Sequence, residues 1–164
     1  MNQSAVCRIL LLMSGLAVIS SSSGERLARA SVTQSPDPYW RQTLFRGDEP
    51  LHNIPEVISR RCEGELIWVK VRNSGNTVLR YTSVGRSGIQ LFQETDLSGR
   101  WQAANWDWCG MGKKSVLLKP GETVELKVDF WEQGIRERML GHFRDEDYLH
   151  SAMIVLATES GGFD

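Results

Sequence analysis

The stretch TVELKVDFW, residues 123–131, constrains the fold most, because apolar and polar residues alternate along it. Its apolar residues would share one side of an extended chain: Val124, Leu126, Val128 and Phe130. Alternation with a period of two is typical of a β-strand that buries one face and exposes the other. We therefore expect a strand here, with its apolar side in a core that also contains Ile67, Val69 and Val71.

Further strand-like stretches lie on both sides of this segment, at residues 66–71, 77–84, 89–95, 115–118 and 151–160. Clusters of Asn, Gly, Pro and Ser separate them, at 73–76, 85–88, 96–99 and 119–122. Gly and Asn tolerate positive φ and Pro restricts φ, so such clusters favour turns. Because no long amphipathic helix intervenes, the pattern predicts an all-β antiparallel sandwich of about seven strands, with a small barrel as the main alternative.

The first thirty residues have the layout of a secretory signal peptide. Arg8 precedes an apolar run of about a dozen residues, whereas a helix that spans a bilayer needs roughly 20. Small residues follow the run, up to Ala30. We therefore expect a secreted or periplasmic protein with no membrane span after the signal is removed.

The chain of 164 residues has room for one domain besides this signal. The predicted organisation is a signal peptide (1–30), a linker or loosely docked arm (31–53), one β-sandwich domain (54–160) and a tail (161–164). The arm contains Tyr39, Trp40, Leu44 and Phe45, which could dock it on the domain or on something else.

Two cysteines remain after the signal, Cys62 and Cys109. An even number of cysteines in an oxidising compartment favours a disulfide bond between them. The alternative is two unrelated cysteines, one of them buried in the core. A thiol titration under denaturing conditions distinguishes the two, because two free thiols would exclude the bridge.

Charge and motifs exclude several functions. The formal net charge of −1 gives no basic field that would attract nucleic acid. His142 and His150 are eight residues apart and His52 is distant, a spacing that matches neither an EF-hand nor a blue-copper site. No Gly-x-Ser-x-Gly motif occurs, and no serine pairs with a histidine and a carboxylate. We therefore predict no metal, no cofactor and no enzymatic activity.

Three tryptophans are the candidate binding residues: Trp101, Trp106 and Trp108. Trp106 and Trp108 would share one face of a strand, and flat aromatic rings stack on sugars or on partner side chains. The alternative is that the rings pack inside the domain, since tryptophan is highly buried on average.

The charged segment 132–150 is predicted to be a loop or a short helix. It contains basic and acidic residues close together: Arg136, Glu137, Arg138, Arg144, Asp145, Glu146 and Asp147. We expect these residues to form mutual ion pairs on the surface, each contributing roughly 0–1 kcal/mol. The alternative is a loop that binds a partner.

The runs IWVKVRNSGNTVLRY and LKPGETVELKVDF, with the apolar final strand, resemble exported bacterial immunoglobulin-like modules. The segment W-x4-W-x-W-C-G-x-G, which starts at Trp101, resembles small exported proteins of planctomycete-type bacteria. A looser resemblance is to immunoglobulin-like intracellular proteinase inhibitors, whose compartment differs from the one expected here. The resemblance implies an immunoglobulin-like sandwich over about residues 60–158.

These observations predict an exported, non-enzymatic binding or structural module with a protein or glycan partner in the cell envelope. One alternative is a secreted peptidase inhibitor that presents residues 101–114 or 132–150. Another is a glycan-binding protein that uses the three tryptophans.

Overall fold

The structure is a computed structural model. It describes residues 36–64, 66–107, 111–131 and 136–159. The predicted signal peptide and tail lie outside the described residues, as do Trp108 and Cys109.

The described residues form one short helix and eleven strands. In chain order they are α1 (Pro38–Thr43), β1 (Glu49–Pro50), β2 (Glu56–Glu63), β3 (Leu66–Arg72), β4 (Leu79–Val84), β5 (Gly88–Ile89), β6 (Leu91–Leu97), β7 (Arg100–Trp106), β8 (Lys113–Leu118), β9 (Thr123–Val128), β10 (Glu137–Asp145) and β11 (His150–Glu159). The all-β prediction is therefore confirmed. In the part of the chain that the structure describes, no helix is long and apolar enough to cross a membrane.

The pairing of the strands differs from the expected antiparallel sandwich of about seven strands. All eleven strands belong to one mixed sheet, whose main path runs β1-β11-β10-β4-β5-β9-β3-β2. Strand β6 lies between β10 and β7, and β8 pairs with β4. Two short pairs are parallel, β1 with β11 and β5 with β9. Both involve strands of two residues, β1 and β5, which are too short to give an alternation pattern in the sequence.

The predicted core faces are confirmed. Val69 lies opposite Leu126 in the antiparallel pair of β3 and β9, and both side chains are fully buried. The same core receives side chains from β4, β10 and β11: Leu79, Met139, Phe143 and Leu156. Residues distant in the sequence therefore share one apolar interior, and its burial is the main stabilising term of such a fold.

The turn at 119–122 also forms as predicted. The Glu122 N–H donates to the Lys119 carbonyl at 3.0 Å, and Gly121 has φ 76°. Pro before a residue with positive φ is the pattern of a type II turn, in which Gly avoids the strain of a side chain. The buried Asn73 holds this turn, because its backbone carbonyl accepts from the Gly121 N–H at 2.8 Å.

The prediction of a loop or short helix over 132–150 is wrong for residues 137–145, which form β10. This strand pairs with β11 on one side and with β6 and β4 on the other. Gly141 does not interrupt it, since a Cβ there would lie 3.0 Å from side-chain atoms of Ile89 and Leu156. The glycine is thus needed for close packing. Of the other segment expected to be a presented loop, 101–114, residues 101–106 belong to β7 and residues 113–114 begin β8.

The arm covers the face of β10 that is turned away from the core, which we call the outer face. Helix α1 begins after Asp37, whose Oδ1 accepts from the Tyr39 N–H at 2.7 Å, and Pro38 occupies its first turn. Trp40 is buried against Phe92 and Leu140 of the outer face. Strand β1 then extends the sheet beside β11.

Candidate functional site

The outer face carries a row of alternate β10 side chains. They are Arg138, Leu140, His142 and Arg144, continued by Arg136 just before the strand. Each arginine pairs with a carboxylate from another part of the chain: Arg136 with Asp96, Arg138 with Glu94 and Arg144 with Asp48. These ion pairs of the three arginines therefore reach β6 and the arm, outside the segment 132–150.

Glu94 is the centre of the contact between arm and sheet. Its Oε2 accepts from Arg138 at 2.6 Å. Its Oε1 accepts from the Trp40 indole N–H at 2.9 Å and from the Asp37 backbone N–H at 2.8 Å. Because the carboxylate is fully buried, these donors replace the water that a charge needs. Glu94 thus anchors the arm, through its bonds to Trp40 and Asp37, while Arg138 holds the carboxylate from the sheet.

Both described tryptophan candidates lie on the outer face. A β-bulge in β7 brings them there, because Trp106 pairs with Phe92 and Trp101 with Asp96, although the two tryptophans are five residues apart. Each ring is half-buried. Trp106 contacts Trp40 edge-on at 5.9 Å between ring centroids, and the Arg138 guanidinium lies 4.5 Å from the Trp101 ring. Both rings therefore contribute to packing within the chain.

His142 is enclosed beneath the arm. Its ring stacks on Phe45 with 3.6 Å between centroids, and among the described residues its buried Nε2 has no hydrogen-bond partner. Burial lowers the pKa of His142 to about 3, and the positive charges of Arg144 and Arg41 add to the effect. The imidazole is therefore neutral in the folded protein near neutral pH.

A short turn joins β10 to β11. Together with the strand residues that flank it, Asp145 and His150, it forms a segment that we call the hairpin tip (residues 145–150). Asp145 Oδ1 accepts from the backbone N–H groups of Leu149 and His150 at 2.9 and 3.1 Å. The Asp145 carbonyl accepts from the Tyr148 N–H at 3.3 Å. The second carboxylate oxygen, Oδ2, lies 2.6 Å from His150 Nδ1. One aspartate thus holds the backbone of the whole tip.

Tyr148 has φ 61°, a conformation that costs energy for a residue with a bulky side chain. Its ring lies 5.0 Å from the Arg80 guanidinium and 4.9 Å from that of Arg144. Those two arginines are opposite each other in the β4–β10 pair, where like charges repel. The aromatic face attracts both cations, which offsets repulsion and holds the strained residue in place.

The exposed apolar residues of the tip are Tyr148 and Leu149, at 46% and 61% exposure. Sequence reasoning missed them because the surrounding acidic residues suggested a solvated surface. The available signal was an aspartate that begins a short turn between two strands, a position where it bonds the backbone of the following residues.

The structure also brings together two histidines that are far apart in the sequence. The rings of His52, which follows β1, and His150, which begins β11, have centroids 5.2 Å apart. Partial burial acts to raise the pKa of Asp145, but hydrogen bonds from His150 and Leu149 hold that pKa below its usual value. Within the described ranges, no group of three or more His, Cys, Asp or Glu side chains is arranged to hold a metal ion.

Cys62 lies half-buried on β2, opposite Ile67 of β3. Its expected partner, Cys109, is outside the described residues, so the disulfide bond stays a prediction. The same holds for the part of the tryptophan proposal that involves Trp108.

The fold and this outer face define a small all-β protein with a docked N-terminal arm. No known family matches the chain by its family model, and no curated protein matches it. Among solved structures, the chain is similar to the ApaA protein from Bordetella pertussis, with 19% identity and a TM-score of 0.39. The match covers 68% of this chain and 93% of that one. A likeness at this level carries no argument about function, so the proposals below depend on the geometry of the chain itself.

Proposed function

We propose that this chain is a non-enzymatic binding module that presents the hairpin tip to a protein partner. The observation that carries the proposal is the combination of exposure and restraint at the tip. Tyr148 and Leu149 are exposed apolar residues on a turn that Asp145 holds through three backbone hydrogen bonds.

Restraint matters because binding costs the entropy of the groups that it orders. A tip that is already held in one conformation loses less conformational entropy on association, so more of the free energy of its contacts remains as affinity. Tyrosine is also among the residues that most often dominate binding at interfaces.

The tip indicates the chemistry of the partner surface. Leu149 would enter an apolar pocket, beside the Tyr148 ring that Arg80 and Arg144 hold in place. The exposed side chains of Glu146 and Asp147 would lie at the edge of that pocket. A partner with a hydrophobic depression and basic residues around it fits this arrangement, because complementary charge at a rim favours association and orientation.

Site-specific photo-crosslinking tests the proposal in the cells that make the protein. A photoreactive amino acid at position 149 should give one defined adduct, and the same group at Leu97, an exposed leucine at the β6–β7 turn, should not. Tyr148→Gly should abolish the adduct, because glycine keeps the backbone at this φ and removes the ring. Equal labelling from both positions, or an adduct that is unaffected by Tyr148→Gly, would refute the proposal.

A peptidase inhibitor is the second candidate from the sequence. The tip is its best-placed segment, but an inhibitor loop that binds like a substrate is extended, whereas Tyr148 has φ 61°. Inhibition of any member of a panel of peptidases, lost in Tyr148→Gly, would favour this alternative over a partner without peptidase activity.

Glycan binding through tryptophan has less support. Sugar stacking needs a free ring face, and the Trp101 ring already has Arg136 and Arg138 within 5.4 and 4.5 Å. If the chain is retained on a glycan array and Trp101→Ala loses this retention with its fold intact, glycan binding through Trp101 would be supported.

Export and an immunoglobulin-like arrangement are part of the same proposal. The packing of β3 and β9 against β4, β10 and β11 around one core supports an immunoglobulin-like module, with the strand number and pairing described above. N-terminal sequencing of the protein recovered outside the cytoplasm tests export, since an intact Met1 would contradict signal removal.

A further inference from the structure

We propose that His52 and His150 bind a divalent transition-metal ion, such as Zn²⁺ or Cu²⁺, between the arm and the hairpin tip. The proposal does not depend on the binding function of the tip. It follows from the separation of the two rings, the chemistry of Asp145 and the position of the two histidines in the fold.

The ring separation fits coordination of one ion. At a Zn–N distance of about 2.1 Å, each ring centroid would lie about 3.2 Å from the ion. The observed separation of 5.2 Å between centroids then corresponds to an angle of about 110° at the metal, close to the tetrahedral value. Imidazole nitrogen is a preferred ligand for zinc, copper and nickel.

His150 is prepared for this role by Asp145. Its Nδ1 lies 2.6 Å from Asp145 Oδ2, so in the neutral ring Nδ1–H donates to the carboxylate and Nε2 is the nitrogen with the free lone pair. A carboxylate that holds the second nitrogen of a histidine fixes the ring and strengthens it as a ligand. Asp145 is itself fixed by the backbone N–H groups of the tip. It is therefore a positioning residue.

The site is open. With two protein nitrogens, the remaining positions on the ion would be filled by water. We therefore expect micromolar affinity, which is weaker than that of a structural zinc site with four protein ligands.

The ion would add a link between the arm and the hairpin tip, which already meet through backbone hydrogen bonds and, beside the tip, through the ion pair of Arg144 with Asp48. The Glu49 N–H donates to the Leu149 carbonyl at 2.8 Å, and the Leu51 N–H donates to the Ser151 carbonyl at 3.0 Å. A ligand that binds the folded state alone raises its stability, so metal should protect β1 from local opening.

Titration of the full chain without an affinity tag, with its thiols blocked, tests the site. Zn²⁺ calorimetry should give one ion per chain, with at least about tenfold weaker binding in His52→Gln or His150→Gln and none in the double variant. Tyr148→Gly is the matched control, since it changes the tip and leaves both ligands. Asp145→Asn should weaken binding about 10–100-fold while both nitrogens remain bound.

A second measurement needs no variant. In the wild-type chain, Cu²⁺ should broaden the imidazole C–H signals of His52 and His150, and the buried His142 serves as an internal control. Electron paramagnetic resonance should show two coordinated nitrogens. Equal affinity in the wild type and the double variant, or broadening that includes His142 equally, would overturn the proposal.

Discussion

Two parts of the sheet each contain an arginine that contacts a tryptophan ring and bonds a glutamate, but the two sets of side chains lie in different surroundings. On the solvent face of β2, β3 and β9, Arg61 lies 5.0 Å from the Trp68 ring and bonds Glu125 at 3.2 Å. On the outer face, Arg138 lies 4.5 Å from Trp101 and bonds Glu94 at 2.6 Å. The first ion pair is 51% and 45% exposed, and the second is 4% and 0% exposed.

The comparison shows that burial, rather than the pairing of charges, decides how much such a set of side chains matters. Water competes for the charges of Arg61 and Glu125 and replaces each partner at little cost when the other is removed. Glu94 and Arg138 have no such replacement, so each depends on the other and on the arm above them. Variants at the two ion pairs and beneath the arm test that difference.

Glu94→Leu should lower the free energy of unfolding by about 3–5 kcal/mol, because it removes the buried carboxylate that bonds the Arg138 guanidinium at 2.6 Å. Chemical denaturation of the full chain measures the change. The double variant Glu94→Leu with Arg138→Met should recover much of the loss, since neither charge of this pair is then buried. If the double variant is less stable than the single one, the loss does not come from the buried charge of Arg138.

Trp40→Ala should lower the free energy of unfolding by about 3 kcal/mol, through the cavity that it leaves and the loss of its bond to Glu94. Amide exchange in residues 37–51 should accelerate more than exchange in β3 or β9. Tyr39→Ala, at the exposed neighbouring position, is the control and should change both measurements little. Uniform acceleration across the chain would show that the arm does not open separately.

Stability should fall between about pH 6.5 and pH 3 because of His142. Its folded-state pKa is about 3, below the ordinary value of 6.5, so only the unfolded chain takes up the proton in this range. At pH 5 the loss is on the order of 2 kcal/mol. Asp145, whose pKa is also lowered, adds its own loss only near pH 4 and below.

His142→Leu should flatten this dependence between pH 6.5 and 5, as measured by denaturation at each pH. His150→Gln is the matched control, because it removes a partly buried histidine at the hairpin tip and leaves His142 in place. An unchanged slope in His142→Leu would assign the acid sensitivity to another group.

Arg61→Ala should have the smallest effect, with a midpoint of thermal unfolding close to that of the wild type. A double-mutant cycle with Glu125→Ala should give almost no coupling. A loss comparable to that of Glu94→Leu would contradict the role assigned to burial.

Local patterns in the sequence predicted the parts of the fold that depend on neighbouring residues. The buried side of β9 and the turn at Gly121 both form as expected, because alternation and turn residues act within a few positions. The same reasoning failed for β10. Its outward arginines resemble a solvated loop until their partners are known, and those partners, Glu94 and Asp48, are distant in the sequence.

The candidate site was predicted only in part. The shared strand face was predicted for Trp106 and Trp108, and Trp108 lies outside the described residues. The structure places Trp101 and Trp106 on one face, through a bulge that the sequence does not mark. The proximity of His52 and His150 had no sequence signal, since β1 is a two-residue strand.

The sequence by itself determined that the chain is rich in strands and which side chains of β3 and β9 line the core, because strand geometry fixes a period of two. Only the tertiary structure decided which charges are buried, which histidines meet and that the arm covers the outer face. These depend on pairing between strands far apart in the chain, and a charge or an imidazole acquires its properties from the neighbours that such pairing supplies.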